Sequence, residues 1–293
     1  MSNITEVIFI LDRSGSMSGL EKETIGGFNS LLEKQKKEEG EAIVSTILFD
    51  NEVEVLHNRK NIKDVEKITE REYYVRGTTA LLDAVGTTIA RTRTAQEKDA
   101  IKPEKTLFII TTDGMENAST EYNYDSVKKL VEKMKAEFGW EFLFLGANID
   151  AVDVAGKFGV SANRAVRYES DSAGTALNYS VMSKIVSKVR YSKSAAEMSS
   201  ALNEDDLQEI KEDYEKRKKD VRKYILFDML SNLLKQLYRH NQNGSGGILI
   251  CVDFERNHTF RSFDNRSEIP EDKTAVAFAY VRQIFHFSFL SQA

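Results

Sequence analysis

The chain has 293 residues, 41% of them hydrophobic and 30% charged, with a formal net charge of −5. That composition fits a soluble protein large enough for one α/β domain and a smaller addition, and it excludes disorder and a general nucleic-acid surface, which would need a basic stripe. The apolar runs are strand-sized, well short of the ~20 residues that span a bilayer, and the single cysteine, Cys251, excludes a disulfide framework and a multi-thiolate zinc site within one chain.

In chain order, residues 6–12 read as a buried strand, and Leu20 to about Lys37 as a helix with Ile25, Phe28, Leu31 and Leu32 on one face. Residues 42–49 and 53–57 read as strands joined too tightly for a crossover, so the second of them is expected antiparallel at an edge. A helix from Leu81 to about Thr94, a strand over 105–112, a helix over 124–138 and a strand over 140–146 follow. A short helix over 152–158, a strand at 165–168 and a helix over about 175–189 complete the pattern. Strands alternating with helices predict a doubly wound, mostly parallel sheet with one antiparallel edge strand and helices on both faces. We place this α/β domain at residues 1–198, a long helical connector at 199–243 and a small extension of unassigned fold at 244–293. Within these, 204–240 reads as one helical pattern, 241–247 as a break and 248–252 as a strand, while 274–287 fits a strand or an apolar helix.

Three segments carry oxygen donors where strands end. Asp12, Ser14 and Ser16 alternate directly after Val7–Leu11; Thr79 lies in Gly77–Leu81, just before a helix; Asp113 follows Leu107–Ile110. In a doubly wound sheet the crevice beyond the carboxyl ends of the first and fourth strands is the usual ligand position, and these loops fall there. With no convergent His or Cys, the donor set suits magnesium, manganese or calcium, and octahedral geometry favours Mg2+ or Mn2+. If the hydroxyls bind directly and the aspartates act through water, the cation keeps charge that an incoming carboxylate would satisfy. Each residue alone has a commoner explanation: Ser14, Ser16 and Thr79 as helix caps, Asp113-Gly114 as a turn. Glu116 and Asn117 stand as rim residues or alternative ligands, with Arg76 and Met17 as weaker rim candidates. Asp150 and Asp153 read as helix caps, and His57, His240, His258 and His286 show no metal spacing.

With Asp12-x-Ser14-x-Ser16, the Gly-x-Thr-x-Leu loop at Gly77–Leu81 and Thr112-Asp113-Gly114 in order, the chain resembles the von Willebrand factor A domain family over about residues 5–195. The resemblance implies a metal-ion-dependent adhesion site holding a divalent cation and, through it, an acidic group of a partner. Many members have a second glycine where this chain has Thr78, so Thr78 stands beside Thr79 as the threonine ligand; the following x-Leu favours Thr79. The resemblance also implies an intracellular, bacterial adaptor within a multiprotein machine, such as an ATPase-containing complex. No signal-peptide pattern opens the N-terminus, so the expected location is cytoplasmic, without membrane or nucleic-acid partners.

Two other readings compete with a binding module. One is a magnesium-dependent enzyme acting on a phosphate. Against it, the sequence has no Gly-x-x-x-x-Gly-Lys-Ser/Thr loop, no Gly-x-Gly-x-x-Gly after the first strand and no Gly-x-Ser-x-Gly elbow. The other is a structural assembly subunit whose tail drives association. We expect no enzyme activity.

Overall fold

The computed structural model describes residues 3–100, 102–220, 224, 249–252 and 260–263. The chain divides into two compact units, Met1–Lys218 and Lys219–Ala293. The first unit carries strands β1 (Thr5–Asp12), β2 (Ala42–Phe49), β3 (Val53–Asn61), β4 (Lys105–Thr112), β5 (Glu141–Ala147) and β6 (Ala165–Tyr168). They form one sheet in the order β3-β2-β1-β4-β5-β6, parallel throughout except for β3, which runs antiparallel at the edge as expected.

The pleat of β1 explains why both faces are covered. Val7, Phe9 and Leu11 point into one core, under helices α1 (Glu21–Lys36) and α5 (Ser172–Tyr191). Ile8 and Ile10 point into the other, under α2 (Leu81–Lys98), α3 (Tyr124–Phe138) and α4 (Ala151–Lys157). A strand buried on both faces reads as an unbroken apolar run, and β1 and β4 do so for that reason. Phe108 stacks on Trp140 and Phe142 at 5.3 and 4.8 Å in the second core.

The β3 strand runs four residues past its expected end, to Asn61. Arg59 makes this possible by adopting a left-handed φ of 49°. Its backbone N–H donates to Ser45, and its guanidinium spans Glu6 and Asp99. The last helix of the sheet, α5, starts three residues earlier than its apolar pattern, because Asp171 caps it by accepting from Gly174 N at 2.7 Å. Beyond it, α6 (Ala195–Ala201), the following turn and the start of the next helix bury Met198, Leu202, Leu207 and Ile210 in the α1/α5 core.

The expected helical pattern from 204 opens with a capped turn at Glu204–Leu207 and continues as helix over 208–220. In the second unit, Leu249–Val252 pairs antiparallel with Phe260–Phe263. All of 225–240, the break at 241–247 and the segment 274–287 lie outside the described residues. Among the described residues no helix is long and apolar enough to cross a membrane.

Candidate metal centre

Strand register sets the site. Asp12 ends β1 opposite Phe49, and Leu11 pairs with Thr111, so Thr112 and Asp113 leave β4 beside Asp12. The 3-10 turn Gly15–Met17 follows at once. Backbone bonds then draw the third loop in: Gly15 N donates to Gly77 O at 3.1 Å and Arg76 N to Arg13 O at 2.9 Å.

These loops bring three hydroxyls together. Thr79 Oγ1 donates to Ser14 Oγ at 3.0 Å, and Ser14 Oγ lies 3.0 Å from Ser16 Oγ. Asp12 sits behind them, accepting from Ser14 N at 2.7 Å on one oxygen and from Thr112 Oγ1 at 2.6 Å on the other. Asp113 accepts from Ser170 Oγ at 3.0 Å through Oδ2, while its buried Oδ1 has no hydrogen-bond partner. Thr78 is exposed, whereas Thr79 is only 3% exposed.

None of the three hydroxyls caps a helix. Ser14 makes no side-chain cap bond, and Ala80 occupies the N-cap position of α2. The first N–H groups of that helix are served from across the site instead: Leu82 N donates to Glu116 Oε2, and Asp83 N to Ser119 Oγ. Glu116 also accepts from the N–H groups of Ala118 and Ser119, so its carboxylate is engaged with backbone. Asn117 accepts from Thr79 N at 2.9 Å and returns its own N–H to Thr79 O at 3.0 Å. Glu116 and Asn117 therefore position the Thr79 loop. Met17 is buried, and the guanidinium of Arg76 is turned onto Asp50. Asp150 caps α4 by accepting from Asp153 N.

Electrostatically the centre is an unsatisfied anion. Burial pushes the Asp12 carboxyl up from 3.8 to about 6, against the bonds from Ser14 and Thr112, and the neighbouring Asp113 adds to the rise. Burial also raises Asp113, against the hydroxyls of Ser16 and Ser170. A divalent cation among these groups would favour both ionised forms. The hydroxyl spacing also fits such an ion: cis ligands at ~2.0–2.1 Å from magnesium stand about 3 Å apart. Two carboxylates and three hydroxyls form a hard-oxygen set; no cluster of three or more His, Cys, Asp or Glu suited to a metal occurs among the described residues.

A further layer holds the loops. Arg13, inside the first motif, is fully buried and donates through Nε to Asp50 Oδ2 at 3.0 Å. Asp50, at the end of β2, also receives Arg76 Nε at 2.7 Å and Glu52 N at 2.7 Å. Sequence reading did not single out Asp50 or Ser170. Asp50 follows the carboxyl end of β2, the neighbour of β1, and Ser170 follows that of β6 at the far edge of the sheet; a place just past a strand's carboxyl end is the signal that would have found them. At Gly77, φ is +68° and an added Cβ would lie 2.1 Å from Asn51 Oδ1, so only glycine suits this turn.

No protein-family model matches the chain, and no curated protein matches it. Among solved structures, it is similar to proximal thread matrix protein 1 from the mussel byssus, with a TM-score of 0.45 and 13% identity over 64% of this chain and 47% of that one. Another structure of the mussel protein has a zinc-occupied MIDAS motif. The vWF domain of the type V pili tip protein Mfa5 from Porphyromonas gingivalis gives a TM-score of 0.46 at 11% identity, over 64% of this chain and 96% of that one. A von Willebrand factor type A protein from Catenulispora acidiphila gives 0.43 at 16%, over 64% and 43%. The chain thus spans about half the length of the mussel protein. The strand order and registers themselves define its doubly wound fold.

Proposed function

We propose that the first unit is a metal-dependent protein-binding module, in which a divalent cation held by Asp12, Ser14, Ser16, Thr79 and Asp113 receives an acidic side chain of a partner. The observation that carries this reading is the cluster of three hydroxyls, none used as a cap, beside a buried Asp113 oxygen without a partner. A buried acceptor left bare is costly, and a cation removes that cost. Hydroxyl ligands are neutral, so an ion ligated by them and by water retains charge that a carboxylate would satisfy. The role is binding and not turnover, in an adaptor whose second unit supplies a separate contact.

Calorimetry on the full chain tests the reading, using Mg2+, Mn2+ and Zn2+, each with and without a short acidic peptide. One ion per chain, bound more tightly when peptide is present, is the expected result. Peptide binding that survives a chelator would sink the metal-bridged reading.

Gly114 supplies a sharper variant. A Cβ there would lie 2.9 Å from Ser16 Oγ and 3.2 Å from Thr79 Oγ1, against the hydroxyls themselves. Gly114→Ala should weaken metal binding at least tenfold by calorimetry, while the unfolding midpoint of the metal-free protein moves little, because side-chain hydroxyls yield more easily than backbone.

A further inference from the structure

A cleft of about 490 Å3 opens next to the candidate metal centre, lined by residues that include Ser16, Leu20, Asn148, Glu169, Ser170 and Asp171. It is continuous with the centre on two sides. Ser16 belongs to the hydroxyl cluster, and Ser170 donates to Asp113. Asn148, in a left-handed conformation with φ 55°, fixes a third side by donating to Asp113 O at 3.4 Å. A volume of this size takes a long side chain, and Leu20 is the only large apolar residue of the lining.

Charge around the cleft has one prevailing sign. Neither Lys, Arg nor His lines it. The lining is hydrogen-bonded to further carboxylates: Glu21 accepts from Gly19 N, and Glu23 from Ser172 Oγ. Arg217 is the one cation paired with the lining among the described residues, and it is shared between Asp171 and Asp213. Glu169 is half-buried, and its carboxylate has no hydrogen-bond or ion-pair partner among the described residues.

An anion is a poor occupant. The α5 N-terminus at the cleft is already capped by Asp171, and Glu21 and Glu23 occupy the first turn of α1. A cation is a good one. With a divalent ion at the centre, Asp12, Asp113 and a partner carboxylate would carry three negative charges against two positive ones, so the ion does not repel a positive group in the cleft.

Resting on the metal-bridged reading above, we propose that the partner's acidic residue is flanked by a lysine or arginine, whose side chain enters this cleft and pairs with Glu169. The module then recognises an acidic–basic pair and not any exposed carboxylate. Competition calorimetry in saturating Mg2+ tests this, with peptides that differ only at the neighbour of the acidic residue: Lys, Arg, Ala or Glu. Wild type should bind the Lys and Arg peptides roughly three- to tenfold more tightly than Ala, with Glu weakest, and 0.5 M salt should erase the preference. Glu169→Gln should reduce it to under twofold while leaving the Ala peptide and the metal unaffected. Equal binding of all four peptides would overturn the cleft assignment and leave the metal bridge standing. Two ions per chain, the second lost in Glu169→Gln, would overturn it in favour of a second cation site. No metal-dependent binding of any peptide would remove the underlying reading itself.

Discussion

Replacing Asp50 by alanine should destabilise the first unit by ~3–5 kcal/mol, the range for removing one partner of a buried ion pair. The physical reason lies with Arg13. Its side chain is fully buried, and its Nη2 already lacks a partner. Without Asp50, the remaining counter-charge is Glu54, whose side chain is 48% exposed and which reaches Nη1 at 2.7 Å. Arg76 and Glu52 N would lose the same acceptor together. Both arginines also pack over Tyr74, at 5.4 and 5.5 Å from its ring centre, so the loop carrying Thr79 is held partly through this cluster. Urea unfolding of the wild type, Asp50→Ala and Asp50→Asn provides the measurement. Asparagine retains an acceptor for Glu52 N and should fall between the other two. A loss below about 1 kcal/mol in Asp50→Ala would mean that Glu54 alone compensates Arg13.

The same cluster shows where sequence reasoning stops. The sheet, its antiparallel edge and the switch point were legible because β1 and β4 are unbroken apolar runs, and because a hairpin-length link cannot cross over. The placement of Asp12, Ser14, Ser16, Thr79 and Asp113 was legible because each lies at a strand end or in a loop that the topology brings to one edge. The work of Arg13 was not. In sequence it is the variable position of a motif, and only the β1/β2 register puts Asp50 beside it. Glu116 and Asn117 looked like rim residues because they follow Asp113 closely. Their side chains turn back onto the Thr79 loop and the α2 N-terminus, whose first residues carry no capping side chain of their own. Local pattern fixes where chain elements begin; it does not say which distant carboxylate will satisfy a helix end. The extension of β3 through Arg59 is of the same kind, since it depends on Glu6 and Asp99, far away in sequence.

The second large effect is expected at Asp12, where stability and metal binding should move in opposite directions. Its carboxyl is raised from 3.8 to about 6 by burial, so folding disfavours the charged form. Between about pH 4 and 6 the unfolded chain gives up this proton first, and the metal-free protein should lose stability as pH rises. The loss on this account approaches about 3 kcal/mol above pH 6, from 1.36 kcal/mol per pKa unit. Asp12→Asn keeps the shape: its carbonyl still accepts from Ser14 N, and its amide donates to Thr112 Oγ1, which retains Gly114 O as an acceptor. The variant should therefore lose the Asp12 share of this slope, keeping the part due to the raised Asp113, and, without metal, be at least as stable as wild type at pH 7. Metal should reverse that order. Wild type at a metal concentration of 100 Kd gains about 2.7 kcal/mol, whereas Asp12→Asn, binding the ion at least 100-fold more weakly, should gain almost nothing. Below pH 6 the wild-type affinity should fall as well, because the ion must displace the proton. Denaturation with and without Mg2+ at pH 5 and pH 7 reads all of this at once. A metal shift that persists in Asp12→Asn would place the ion elsewhere. A metal-free variant much less stable than wild type would show that the buried carboxylate is held for the fold and not for a cation.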